Sequence, residues 1–161
     1  MKYFTSYFYQ IRFFKPYMIP LSTAVWDPKW FHDFRGQDHM FIDKHGVING
    51  LRVEEMAPGF ECRDLCRGPD NPQFGCNRDP TTCEFLRVYY NQLCKIDIDD
   101  FNTSISALLV ACQKYLGFEE EPQAIFIVHE AISNPCSERI TIQRWLNEHG
   151  NNCVELSYPI K

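Results

Sequence analysis

"AIFIVHEAISNPCSERITIQRWL", residues 124–146, decides the fold. "AIFIVH" (124–129) is apolar on both faces, the pattern of a strand covered from two sides. "CSERITIQRWLNEH" (136–149) carries helical spacing and stops at Gly150. "CVELSY" (153–158) then closes the chain as a further strand. Strand, helix and strand at this separation predict a βαβ unit with a right-handed crossover. The fold expected is therefore α/β, three layers deep around a mainly parallel sheet.

Working outward, "CEFLRVYYNQLCK" (83–95) places Leu86, Tyr89, Tyr90 and Leu93 on one helical face, with Thr81 or Thr82 as its cap. In "DDFNTSISALLVACQKYLG" (99–117) the apolar positions Phe101, Ile105, Leu108, Leu109, Cys112 and Leu116 repeat at helical spacing before Gly117. "KYFTSY" (2–7) and "MIPLSTAV" (18–25) are aromatic and β-branched, which predicts strands. "MFIDKHGVINGLRVE" (40–54) reads as a hairpin turning at Gly46 and Gly50. With 161 residues and no repeat or linker, one α/β domain over 1–161 is expected.

Composition narrows the function classes. Apolar residues make up 45%, charged residues 23%, and the net charge is −5. That acidic balance makes nucleic acid an improbable main partner, although Lys2, Arg12 and Lys15 form a local basic group. No apolar run reaches membrane-spanning length, and the aromatic N-terminus lacks the aliphatic stretch of a signal peptide. A cytoplasmic protein with reduced thiols is expected.

Eight cysteines then need an account. Cys62, Cys66, Cys76 and Cys83 fall in a turn-rich loop, 60–83, spaced C-x3-C-x9-C-x6-C. Such a loop has little apolar material of its own, and four thiolates around one Zn2+ would order it. Arg63, Arg67 and Arg78 would offset the excess negative charge. A full set of four cysteines leaves no open position, so the role is structural; an iron–sulfur cluster, disulfides or unlinked thiols are the competing readings. Cys94, Cys112 and Cys153 read as core residues.

The strand–helix corner carries the chemistry. Ligands of open parallel sheets bind beyond the carboxyl ends of the strands. His129, Glu130, Asn134, Cys136, Ser137 and Arg139 all fall there. Asn134 is read as the helix cap and Pro135 as its first residue. Cys136 and Ser137 would then lie in the first turn, where free N–H groups attract anions and lower a thiol's pKa. Arg139 adds a forked donor for phosphate or carboxylate. Glu130 and His129 are candidate acid/base groups and Cys136 a candidate nucleophile. The plainer alternative is a well-capped helix with an Arg139–Glu130 ion pair.

The same residues resemble the domain-of-unknown-function family 488. The apolar strand, the acidic Glu130, the helix start at Cys136–Arg139 and the final strand are similar to that family's C-terminal end. The family's Cys-His-Arg is "CSER" here. "YFTSYF" and "PLSTAVWDPKWF" resemble its first two strands, while the middle resembles a shorter branch associated with phage and prophage proteins. The resemblance implies a Rossmann-like fold and no settled activity. It also adds Thr5, Ser6, Tyr7, Ser22, Thr23 and Trp26 to the pocket. Hydroxyls and an indole around an anion site suit a nucleotide or nucleoside. No glycine-rich phosphate loop or Walker lysine occurs in the chain. His32, His39 and His45 read as surface histidines, and "DIDDF" (97–101) as an acidic helix start. Three functions follow as expectations: an enzyme acting on a small anionic or nucleotide-like molecule, a module that binds one, or a protein-interaction factor with an aromatic surface around Phe13, Phe14 and Tyr17.

Overall fold

The computed structural model describes residues 1–31, 41–63, 65, 79–130 and 134–156. Four strands form one sheet: β1 (Lys2–Tyr7), β2 (Met18–Ser22), β5 (Gln123–Val128) and β6 (Asn152–Glu155), in the order β2-β5-β1-β6. All are parallel, with Phe4 opposite Ile125, Thr5 opposite Glu155 and Leu21 opposite Phe126. A separate antiparallel pair, β3 (Phe41–Ile42) and β4 (Ile48–Asn49), makes the expected hairpin. Its turn needs Gly46, at φ 80°. Pro20 lies in an edge strand, where its missing N–H costs least.

The described residues also form the helices α1 (Phe60–Arg63), α2 (Glu84–Leu93), α3 (Ile98–Leu116) and α4 (Glu138–Glu148). Asp97 caps α3 by accepting from the N–H groups of Asp99 and Asp100, and Gly117 ends it in the left-handed conformation. The caps proposed for α2 are corrected. Cys83 occupies that position with no side-chain hydrogen bond, and Thr81 instead donates to the Asp79 carboxylate.

The long helices bury their apolar sides in one cluster. Tyr89, Leu93, Phe101, Ile105, Leu109, Ile142, Trp145 and Leu146 meet Tyr3, Phe126, Val128 and Cys153 of the sheet. The Phe101 and Trp145 rings pack edge to face, centroids 5.2 Å apart. The alternate strand residues, Ile125 and Ile127, enter a second cluster with Phe8, Ile11, Phe14, Phe31 and Val47. Phe8, Ile11 and Phe14 come from a 3-10 helix (Phe8–Phe13) and the residue that caps it. Apolar residues on both faces of β5 therefore find cover on both, as their pattern predicts.

Several boundaries move. The second strand stops at Ser22 rather than residue 25, because Thr23 turns its N–H and hydroxyl onto the carbonyl of Ile127. Cys112 and Cys153 are buried as expected, but Cys94 is exposed just beyond α2. Phe14 is a core residue and not part of an exposed patch. Among the described residues, no helix is long and apolar enough to cross a membrane.

Candidate functional site at the carboxyl edge of the sheet

Parallel pairing brings the carboxyl ends of all four strands to one edge. The corner after β5 begins at that edge. The Oδ1 of Asn134 accepts from the Cys136 N–H at 2.9 Å, closing a turn before the helix. Ser137 then takes the capping position, its Oγ accepting from the Arg139 N–H at 3.4 Å. The expected cap at Asn134 is thus displaced by three residues, and α4 begins at Glu138. Cys136 precedes the cap and is buried, so the argument for an activated thiol in the first helical turn does not apply.

Arg139 is also buried. Its Nε lies 2.8 Å from Oε1 of Glu155, at the tip of β6. Its terminal nitrogens donate to the carbonyls of Glu130 at 3.5 Å and Asn134 at 3.3 Å. The Glu130 partnership anticipated for Arg139 is therefore made through the backbone, with Glu155 as a carboxylate partner. Burial pushes the Glu155 carboxyl up to about 7 even though Arg139 opposes the shift. The Glu130 side chain turns to Ser137, whose hydroxyl donates to its Oε2 at 3.4 Å.

Glu138 completes the group. The residue is half-buried, but its Oε2 is fully enclosed. Burial, followed by repulsion from Glu130, pushes its carboxyl up to about 8. The Tyr89 phenol is buried nearby and donates to the Met56 carbonyl at 2.5 Å. Desolvation, with Glu138, Cys62 and Glu130 as further contributors, raises it well above the ordinary phenol value. Glu130, Glu138 and Glu155 thus gather at the corner that holds Arg139, with Glu155 paired to it, and burial raises Glu138 and Glu155 toward neutrality. Such a group can donate or accept a proton at physiological pH.

The other expected residues divide. Thr5, opposite Glu155 in the sheet, accepts a hydrogen bond from Gln143 of α4 at 2.6 Å, which ties it to this corner. Ser6 Oγ is buried without a hydrogen-bond partner among the described residues. Tyr7 OH accepts from Gln10 at 2.8 Å. The Thr23 hydroxyl is committed to the Ile127 carbonyl. Trp26 is 69% exposed and pairs with His129, ring centroids 5.2 Å apart, while the His129 Nε2 meets the Trp26 carbonyl at 2.8 Å. These two form their own group on the side of Phe8.

Sequence reasoning missed Glu138, Glu155 and Tyr89. An acidic residue in a first helical turn has a sufficient local reason in the helix dipole, and nothing local shows that β6 brings Glu155 to Arg139. It also missed a network after β2: Asp27 accepts from Ser22 and pairs with Arg52 at 2.6 Å, and Arg52 donates to the Ala24 carbonyl at 2.6 Å. That network holds the chain after β2 against the segment following β4.

Of the four proposed zinc ligands, Cys66 and Cys76 lie outside the described residues, as do His32 and His39. Cys62 is fully buried, its thiol 3.6 Å from Gln92 Oε1, and Cys83 is half-buried at the start of α2. Among the described residues, no three histidine, cysteine or acidic side chains group to hold a metal. No family model matches the chain, and no curated protein or solved structure matches it either.

Proposed function

We propose that the carboxyl edge of the sheet binds a small anionic molecule and moves a proton on it. The observation carrying this reading is the buried Arg139 beside the Glu130–Glu138 acid pair. Glu155 is a weakly acidic partner for Arg139, so a phosphate or carboxylate of lower pKa replaces it on the guanidinium at modest cost. Glu138, protonated near neutrality, is then the proton donor. His129 and Trp26 flank the edge, where a planar substrate portion would rest. Cys136 is given no chemical role.

The reading includes a Rossmann-like arrangement in which the second face is layered by the 3-10 helix and the β3–β4 hairpin, in line with the family-488 resemblance of the chain ends. It also includes a structural Zn2+ on Cys62, Cys66, Cys76 and Cys83, which would order the loop and supply no reactive position. Metal analysis of the purified protein should give one zinc per chain, reduced by Cys83→Ser; absence of zinc removes this part alone.

Native mass spectrometry tests the site. The wild-type protein should retain a phosphorylated or carboxylated small molecule that Arg139→Met loses. Glu138→Gln should retain that molecule but fail to convert it. Retention with no conversion by the wild type would make the protein a binding module. No retained molecule, and no thermal shift with any anionic metabolite tried, would overturn the reading.

A further inference from the structure

A cleft of about 710 Å3 lies between the 3-10 helix after β1 and the β3–β4 hairpin. That volume is in the range of small-molecule sites. Its walls include aromatic rings that a core would normally cover: Tyr9 is 54% exposed and Trp30 is 51% exposed. Phe13 packs edge-on to Tyr9, and Trp30 stands at 89° to Phe8, so each exposed ring is braced from behind by another. Trp30 presents flat surface at little further cost in side-chain freedom, and Tyr9 presents its exposed edge.

The charge in the cleft is cationic, although the protein as a whole is acidic. The Arg12 guanidinium lies over the Tyr9 ring, 3.8 Å from its centroid, and its Nε donates to the Tyr9 carbonyl at 3.0 Å. Its two terminal amino groups have no hydrogen-bond partner among the described residues. Lys44, on the hairpin turn, also lines the cleft. The acid present, Asp43, is occupied by its own turn: Oδ1 accepts from the N–H groups of His45 at 2.8 Å and Val47 at 3.0 Å. Oδ2 accepts from the Asn49 amide at 3.5 Å. Asn49, buried at the base of the cleft, also donates to the Val47 carbonyl at 3.2 Å, which fixes its amide orientation. That leaves Asn49 Oδ1 a buried acceptor with no donor among the described residues, so the base of the cleft is polar.

We infer that this cleft binds a mononucleotide, its base against Tyr9 and Trp30 and its phosphate on Arg12 and Lys44. Rings without cations would suit any apolar group, and cations without rings any anion. Together they select a planar anion, and stacking on aromatic faces tolerates different bases. The site is separate from the Arg139 cluster and does not depend on the function proposed there.

Calorimetric titration of the full chain with AMP, adenosine and ribose 5-phosphate tests the inference. AMP should bind saturably, and each fragment more weakly. Arg12→Glu, a change on the exposed edge of the cleft, should weaken AMP about tenfold or more and leave adenosine little changed. Trp30→Ala should weaken AMP and adenosine alike by about tenfold. Circular dichroism identifies any variant that has lost its fold, and Arg12→Glu then decides alone. No saturable binding of AMP, CMP or GMP by the native protein overturns the inference. So does ribose 5-phosphate binding as tightly as AMP, or AMP affinity unmoved by Arg12→Glu. Loss of AMP binding in Arg139→Met protein that keeps the native circular dichroism would assign the binding to the carboxyl edge and overturn the inference.

Discussion

Arg139 joins structure and chemistry at the level of one side chain. Its guanidinium is removed from water, and it is tolerated because Glu155 pairs with its charge at 2.8 Å and two backbone carbonyls accept from its terminal nitrogens. Replacing it with methionine keeps much of the apolar stem and strands Glu155 without its partner. Arg139→Met should lower the unfolding free energy by about 3 kcal/mol, measured by urea denaturation. Adding Glu155→Gln should restore a large part of that loss at alkaline pH, where Glu155 would otherwise carry a charge without its partner. A double variant as unstable as the single one would mean that the stem packing, not the ion pair, is what matters. The place of Arg139 at the carboxyl end of β5 was legible in the sequence, because a forked donor just after a buried strand and a capping motif must lie at that corner. Its partner was not. The Arg139–Glu130 ion pair expected from closeness in the chain gave way to one with Glu155, sixteen residues on, because β6 lies beside β1 and delivers its last residue to the same edge.

Among the elements, α3 is the one most fully written in local sequence. Asp97 caps it, Asp99 and Asp100 complement its dipole, its apolar stripe faces the core, and Gly117 stops it at φ 75°. Asp97→Ala should cost about 1 kcal/mol, seen as a lower thermal midpoint with the folded-state circular dichroism unchanged. A neutral result would show that packing of Phe101, Ile105 and Leu109 alone fixes the helix start. The helix α4 was harder to bound. Asn134-Pro135 has the chemistry of a helix start, and so does Ser137. The choice between them depends on Asn134 closing a turn onto Cys136, which leaves Ser137 to meet the first free N–H groups. For α2 the local threonines were misleading, because Thr81 has a nearer acceptor in Asp79. Gln92 shows a further limit of local reading. It accepts from the Gly59 N–H at 2.8 Å and donates to the Ala57 carbonyl at 2.7 Å, fastening the segment before α1 to α2. Helical periodicity gives a glutamine on a half-exposed face no such task.

For the whole molecule, the acid cluster makes stability depend on pH. Glu138 moves from an ordinary 4.5 to about 8 on folding, and Glu155 from 4.5 to about 7. Both are raised, so the folded state binds these protons more tightly than the unfolded chain does. Their favourable contribution is complete below about pH 4.5 and is lost as pH rises through about 7 and 8. The urea midpoint should therefore fall between mildly acidic and mildly alkaline pH, and Glu138→Gln should flatten the upper part of that fall. A midpoint constant across the interval in the wild type would remove the acid pair from the account. By itself the sequence determined where β1, β2, β5, β6, the β3–β4 hairpin and the helices α2, α3 and α4 lie to within a few residues, because alternation, helical spacing and glycines act locally; α1 and the 3-10 helix after β1 carry no such signal. It also determined that the strand after residue 123 is covered on both faces, since apolar side chains pointing both ways leave no wet side. Only the tertiary structure decided the strand order, the ion pair between α4 and β6, and the gathering of Glu130, Glu138, Glu155 and Tyr89 around one corner. Those depend on which strands lie side by side, and the energy that selects them comes from contacts between residues far apart in the chain.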